Sequence, residues 1–199
     1  MTTPLFFAKQ DLVVNFYGIF SKIYERAGKK MCLDCRDFVK KNSKILDLGC
    51  GSGIITKNFQ DFFHSEVLGT DIKDNRVYPI PFKIIDGKSL PFPDNSFDTV
   101  LISYVLHHSG NPISLLKEAK RVAKDKIIIY EDLMEGILSK LRCKIHGASF
   151  NAFFKIKNQA SFRSEKEWEK IFADVGLKIV FKKRINNFPT KKQLFICQA

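Results

Sequence analysis

The chain has 199 residues and a mass of 22.9 kDa, with 45% hydrophobic and 27% charged residues. That balance excludes a disordered chain, and no apolar run approaches the roughly 18 residues that span a bilayer. The net charge of +12, from 33 basic against 21 acidic residues, suits nucleic acid, anionic lipid or an anionic small molecule; the lysines are spread rather than blocked and read first as a solvated background.

The N-terminal stretch MTTPLFFAKQDLVVNF is interrupted by Lys9 and Asp11 and makes a poor signal peptide, so the expected location is cytoplasmic. Five cysteines, an odd number without secretory context, read as reduced thiols. Residues 12–24 place Leu12, Val13, Phe16, Tyr17, Phe20, Ile23 and Tyr24 at helical spacing, and a second helix is predicted from Lys29 to Lys40. The run from Lys44 to Gly49 predicts a buried strand, and residues 54–63 a helix. Further strands are predicted at Glu66–Asp71, Phe82–Asp86, Phe97–Ser103 and Lys126–Glu131. Asn111 and Pro112 suit the cap and first position of the intervening helix.

Residues 133–160 lack a clean period and read as an insertion rich in Phe and Lys. Ser164 and Glu167 form a capping-box pattern, and the helix they open should end at Gly176. Leu177–Lys183 and Gln193–Gln198 close the chain as two strands. Their short connection makes one of them antiparallel. The expected fold is therefore α/β: a doubly wound, mostly parallel seven-stranded sheet with an antiparallel last strand, flanked by helices. One domain is expected over 1–199, with N-terminal helices over about 1–42 and an insertion over about 133–160.

The strongest chemical signal runs from Ile45 to Gly53, a strand, a glycine turn and a helix start. Gly49, Gly51 and Gly53 permit a tight turn and close approach of a ligand to backbone amides. The spacing is G-x-G-x-G, with Ile54 where the dinucleotide fingerprint has its third small residue, so a nicotinamide cofactor is the weaker reading. Asp71 and Asp86 end two strands on the edge where such sheets hold ligands. They suit ribose hydroxyls and an adenine amino group respectively.

DLGCGSG, GTD, IIDGKSLPFPDNSFDTV and SYVLHHSGNP, in this order and spacing, resemble the class I S-adenosylmethionine-dependent methyltransferases, a Rossmann-like family. The nearest subgroup is the small-molecule type that includes the quinone C-methyltransferases. The likeness covers residues 40–132 closely, and FRSEKEWEKIFADVGLKIV and QLFICQA more loosely. It implies S-adenosyl-L-methionine as cofactor, with Asp47, Gly49, Cys50, Gly51 and Gly53 around its methionine end. It further implies Asp71 on the ribose, Ile72 against the adenine, Asp86 and Gly87 at the adenine edge, and Ser103 beside the methionine moiety. Tyr17 or Tyr24 would close over the cofactor from an N-terminal lid, and the insertion would lie on the substrate side.

Methyl transfer from a sulfonium is an in-line displacement, so alignment matters more than acid–base chemistry. A base is needed only for a nucleophile that must lose a proton. His107 and His108, after the fourth strand, are the candidates for that role; the bland alternative is that they shape the pocket. Glu131 and Asp132 face the same edge and read as substrate hydrogen-bonding or capping groups, and His146 as a surface histidine. The segment Ser103-Tyr104-Val105-Leu106 is not the Asp/Asn-Pro-Pro-aromatic motif of base amino-methylating enzymes, and no Pro-Cys nucleophile is present.

Cys32, Cys35, Cys143 and His146 could compose a tetrahedral zinc set, but the halves are distant in sequence and no metal is expected. Cys50 and Cys197 read as small packing residues. Phe150, Phe153, Phe154 and Ile156 suit either an apolar substrate pocket or a core contact, with Lys140, Lys144, Lys155 and Lys157 nearby. The expected function is methyl transfer to a small molecule. An RNA or protein acceptor, and a non-catalytic partner protein, stand as alternatives; nucleic acid is not favoured, and the oligomeric state stays open.

Overall fold

A computed structural model describes residues 13–136, 139–141, 143–145, 147, 148, 160–187 and 190–199. Seven strands form one sheet: β1 (Lys44–Leu48), β2 (Glu66–Asp71), β3 (Phe82–Ile84), β4 (Phe97–Ser103), β5 (Ala123–Leu133), β6 (Lys178–Asn187) and β7 (Thr190–Gln198). Their order is β3-β2-β1-β4-β5-β7-β6. The first five are parallel, and β7 runs antiparallel to both β5 and β6. The helices are α1 (Ser21–Cys35), α2 (Ile54–Phe63), α3 (Pro112–Val122) and α4 (Glu165–Asp174), with a short 3-10 turn at Leu106–His108. Residues 13–19 are also helical.

Strand alternation sorts the apolar side chains into two layers. Ile45, Leu101, Ile128 and Ile196 pack towards Phe59 and Phe63 of α2 and Met31, Cys32 and Cys35 of α1. Leu46, Val100, Ile102, Ile127 and Ile129 pack towards Leu116 and Val122 of α3 and Trp168 and Phe172 of α4. Asp47 shares the period of Ile45 and so emerges on the α2 side, where Thr56 meets it.

The two helix caps follow the sequence reading. Asn111 Oδ1 accepts from the Ser114 amide at 3.0 Å, and Ser164 and Glu167 complete a reciprocal capping box. Gly176 turns the chain at φ +77°. Several boundaries differ, and β3 stops at Ile84 rather than Asp86. The expected break between residues 24 and 29 is absent, because α1 runs straight through Gly28. That glycine serves packing: a Cβ there would stand 2.8 Å from the Asn58 amide of α2. Helix α1 then stops at Cys35 rather than Lys40. The last two strands run longer than expected, and β5 reaches from Ala123 to Leu133, because β7 pairs with β5 as far as Leu133 opposite Lys191.

Of the 133–160 insertion, Leu133 belongs to β5 and residues 139–141 and 143–145 are helical. His146, Phe150, Phe153, Phe154, Lys155, Ile156 and Lys157 lie outside the described residues. Among the described residues no helix is long and apolar enough to cross a membrane.

Candidate functional site

The chain turns from β1 to one side of the sheet and from β4 to the other, and a crevice opens where these neighbours diverge. It is a cavity of about 1290 Å³ at the carboxyl ends of the strands. Its two halves have different chemistry.

The first half is built on the glycine turn. Gly49 and Gly51 take φ of +83° and +52°, the left-handed region that side chains disfavour. The Gly49 and Cys50 amides donate to the Thr70 carbonyl at 2.8 and 2.9 Å, tying the turn to β2. A Cβ on Gly49 would come within 2.4 Å of Val105, so the turn sits flush against the end of β4. A Cβ on Gly51 would meet only the Tyr17 hydroxyl, at 3.7 Å, which places that phenol over the turn.

Asp71 closes the turn from the next strand. Its Oδ2 accepts from the Gly51 amide at 2.9 Å and its Oδ1 from the Ile72 amide at 2.7 Å. Burial pushes its carboxyl up from the usual range, and these amides oppose the rise. Asp47 is 1% exposed. Its Oδ2 accepts from the Thr56 hydroxyl at 2.6 Å, while Oδ1 has no hydrogen-bond partner among the described residues. Burial pushes its carboxyl up to about 7. Ser103 Oγ is likewise buried without such a partner on the same wall. Asp86 accepts from the Lys88 and Ser89 amides at 2.8 and 3.1 Å, which hold its carboxyl below the usual range. Ile72 and Gly87 lie side by side on the wall.

Of the expected cofactor residues, the cavity wall holds Asp47, Gly49, Cys50, Gly51, Asp71, Ile72, Asp86, Gly87, Ser103 and Tyr17. Gly53 stands behind it as the N-cap of α2. Tyr24 also lines the wall, its ring centroid 5.5 Å from that of Tyr17.

The two histidines part company. His108 reaches the wall. His107 is fully buried off the wall, its Nδ1 2.5 Å from Glu131 Oε2 and its ring stacked 4.5 Å from Phe162. Glu131, also fully buried, accepts from the Leu106 amide on its other oxygen at 2.8 Å. It is a strut between β5 and the turn after β4, and Asp132 alone of the acidic pair reaches the cavity.

The second half of the cavity contains residues the sequence did not single out as a site. Asp34 comes from the last turn of α1, Tyr104 from the end of β4, Ile185 from β6 and Lys192 from β7. Tyr104 takes φ +59°, strained for a side-chain-bearing residue, and its hydroxyl is pushed up by burial and by nearby carboxylates. Lys192 Nζ lies 4.4 Å from the Tyr104 ring centroid and stands opposite Asp132 in the β5–β7 pairing. The sequence carried one clue, an aromatic directly after the predicted fourth strand.

Among the described residues no group of three or more His, Cys, Asp or Glu side chains is placed to hold a metal. Cys32 and Cys35 are buried with thiols pushed up to about 12 by burial. Cys143 is buried separately, near the Leu133 carbonyl.

Residues 46–130 match the family model described as a methyltransferase domain. An uncharacterized methyltransferase of Schizosaccharomyces pombe, C1B3.06c, is 35% identical over 106 residues, 44% of this chain and 38% of that one. The ubiquinone/menaquinone biosynthesis C-methyltransferase UbiE of Pasteurella multocida is 28% identical over 176 residues, 74% of this chain and 65% of that one. The chain thus spans 38% to 65% of the length of these curated relatives. Among solved structures, a methyltransferase chain in complex with the Trm112 methyltransferase activator of Haloferax volcanii superposes with a TM-score of 0.73 at 19% identity, covering 96% of this chain and 97% of that one. A SAM-dependent methyltransferase of Methanosarcina mazei gives 0.64 at 20% identity, covering 82% and 95%.

Proposed function

We propose that this chain is a class I S-adenosylmethionine-dependent methyltransferase, as the match of residues 46–130 to the methyltransferase-domain model supports, and that it transfers a methyl group to a small-molecule acceptor. The observation that carries the reading is the pairing of Asp47 and the Gly49–Gly51 turn on one wall. A fully buried carboxylate offers an unused oxygen there, next to a backbone in the left-handed region that favours glycine. An orphaned anion of this kind fits the ammonium of the methionine moiety.

Asp71 turns a carboxylate to the neighbouring wall for the ribose hydroxyls. Asp86 and Gly87 present the adenine edge, with the Ile72 side chain against the ring face. Tyr17 lies over the glycine turn with the Tyr24 ring packed against it, and the pair would shield the reacting region from water. S-adenosylmethionine supplies a methyl carbon already activated by its sulfonium, so the protein acts chiefly by alignment, which contributes roughly 7–11 kcal/mol in favourable cases. His108 is placed to hold the acceptor or take its proton. His107, braced by Glu131, sets the position of that histidine from behind.

A small acceptor is supported by the likeness to the P. multocida enzyme, whose name assigns it quinone C-methylation. The test is thermal stabilisation by S-adenosylmethionine and S-adenosylhomocysteine, with NAD as comparator and Asp71→Ala as control. A ligand at about 100 times its dissociation constant adds roughly 2.7 kcal/mol. A shift with the first two alone, lost in the variant, supports the reading, and its absence overturns it.

A second reading concerns assembly. The H. volcanii chain similar over 96% of this one is bound to an activator subunit, which supports a comparable partner here. Co-expression with a Trm112-type protein should then give a shared peak on size exclusion; separate peaks would rule the partner out.

A further inference from the structure

The acceptor half of the cavity has its own buried carboxylate. Asp34 is only 7% exposed at its side chain, and its Oδ1 pairs with Lys183 Nζ at 2.7 Å. Its Oδ2 is buried with no hydrogen-bond partner among the described residues. The ion pair accounts for one oxygen only, and Lys183 is itself 48% exposed, so pairing alone gives no reason to bury the acid. An unsatisfied buried acceptor is costly, and more so when charged. Such a group on a cavity wall is the counterpart of a donor that arrives with a ligand.

The surroundings define that ligand further. Asp132, 5% exposed, lines the same half. The Tyr104 hydroxyl feels Asp132, Glu131 and Asp34 together, so this end of the cavity is rich in acceptors. The flanking wall is apolar and aromatic: Met31 and Ile23 from α1, Ile185 from β6 and the Tyr104 ring. Tyr104 is held in a left-handed conformation at the end of β4, and strain of this kind persists where the surroundings over-determine a side chain's position.

We propose that this half binds a flat, apolar ring bearing an O–H or N–H donor, and that Asp34 Oδ2 accepts the hydrogen bond and so determines which acceptors enter. The proposal rests on the methyltransferase reading of the cavity. A ring of the same shape carrying only carbonyl or ether oxygens sets acceptor against acceptor and is rejected. Asp34 acts here as a specificity residue and takes no part in transferring the methyl group.

The probes are 1-naphthol and 1-methoxynaphthalene, which differ by one O–H against one O–CH3. Binding is measured calorimetrically, with the protein saturated in S-adenosylhomocysteine and again without it. Wild type should prefer the naphthol by about tenfold or more, the size of a hydrogen bond to a charged acceptor. Asp34→Leu should abolish that preference while leaving S-adenosylhomocysteine binding and the far-ultraviolet spectrum unchanged. Asp34→Asn, whose amide oxygen still accepts, should keep part of it. Absence of the preference in wild type, its survival in Asp34→Leu, or failure of both naphthalenes to bind overturns the proposal. Failure of S-adenosylhomocysteine to bind instead overturns the cofactor reading, and the ligand-free titrations then still decide the role of Asp34.

Discussion

His107 Nδ1 lies 2.5 Å from Glu131 Oε2, with both side chains fully buried and the second carboxylate oxygen taken by the Leu106 amide. This contact fixes the turn after β4, and with it His108 on the cavity wall. Removing one partner of a buried pair costs roughly 3–5 kcal/mol. Glu131→Ala should therefore lower the melting temperature by about 6–20 °C, at roughly 2–4 °C per kcal/mol for a domain of this size. His108→Ala should leave the melting temperature within a few degrees and reduce turnover. Calorimetry of both variants checks the division; equal melting temperatures for Glu131→Ala and wild type would remove the strut from the account.

Asp47 gives a pH signature. Burial raises its carboxyl to about 7 in the folded state, above the ordinary value of 3.8. The folded chain then holds this proton more tightly than the unfolded chain. Its contribution to stability is full below about pH 4 and is lost as pH rises towards 7. Asp47→Asn lacks that loss, so the ligand-free variant should match wild type near pH 4 and exceed it by a few kcal/mol at pH 8, since each tenfold difference in proton affinity is worth about 1.4 kcal/mol. The same variant should lose its thermal shift with S-adenosylhomocysteine. Melting curves across that range, with and without ligand, test both halves.

The two glycines of the turn separate stability from binding. At Gly49 an added Cβ meets Val105 at 2.4 Å, so Gly49→Ala should cost well over the roughly 1 kcal/mol of the left-handed conformation alone. At Gly51 the nearest atom is the Tyr17 hydroxyl at 3.7 Å, so Gly51→Ala should cost only about that 1 kcal/mol. It also places a methyl group under the phenol, within the expected cofactor volume, and should weaken S-adenosylhomocysteine binding at least tenfold. Denaturant melts and ligand titrations on the pair distinguish these outcomes.

Ser164→Ala removes the hydroxyl half of the capping box at the start of α4. A loss of about 1 kcal/mol is expected, with no change in ligand affinity, since α4 packs on the sheet face through Trp168 and Phe172. Urea denaturation measures it directly.

That the residues proposed for the cofactor would share one cavity wall was legible because they lie in local motifs. Asp47 and the glycines lie within one strand and turn, Asp71 ends β2, and Asp86 follows β3 by two residues. The half proposed for the acceptor was not. Asp34, Tyr104 and Lys192 come from α1, β4 and β7, and only the order of the sheet brings them together. No local pattern marks them: Asp34 lies between two cysteines, and Lys192 reads as one of many lysines. The ends of β6 and β7 were hidden for a related reason. Lys182–Arg184 and Lys191–Lys192 interrupt the apolar alternation, yet the first run pairs with residues 193–195 of β7 and the second with Ile185 and Asn186 of β6. His107 shows the opposite failure, since a histidine at the right sequence distance carried its ring to the wrong side of the turn.

The position of β7 between β5 and β6 has a temporal consequence. A ribosome delivers β6 before the strand that joins it to the rest of the sheet. Until Thr190–Gln198 emerge, β5 presents an unpaired edge and β6 has no neighbour in the sheet. Lys192, and with it part of the cavity wall, arrives in that same step. Closure of the sheet and closure of the cavity are therefore one event in synthesis, and a nascent chain halted after Asn187 holds the glycine turn but lacks the part of the wall that Lys192 supplies.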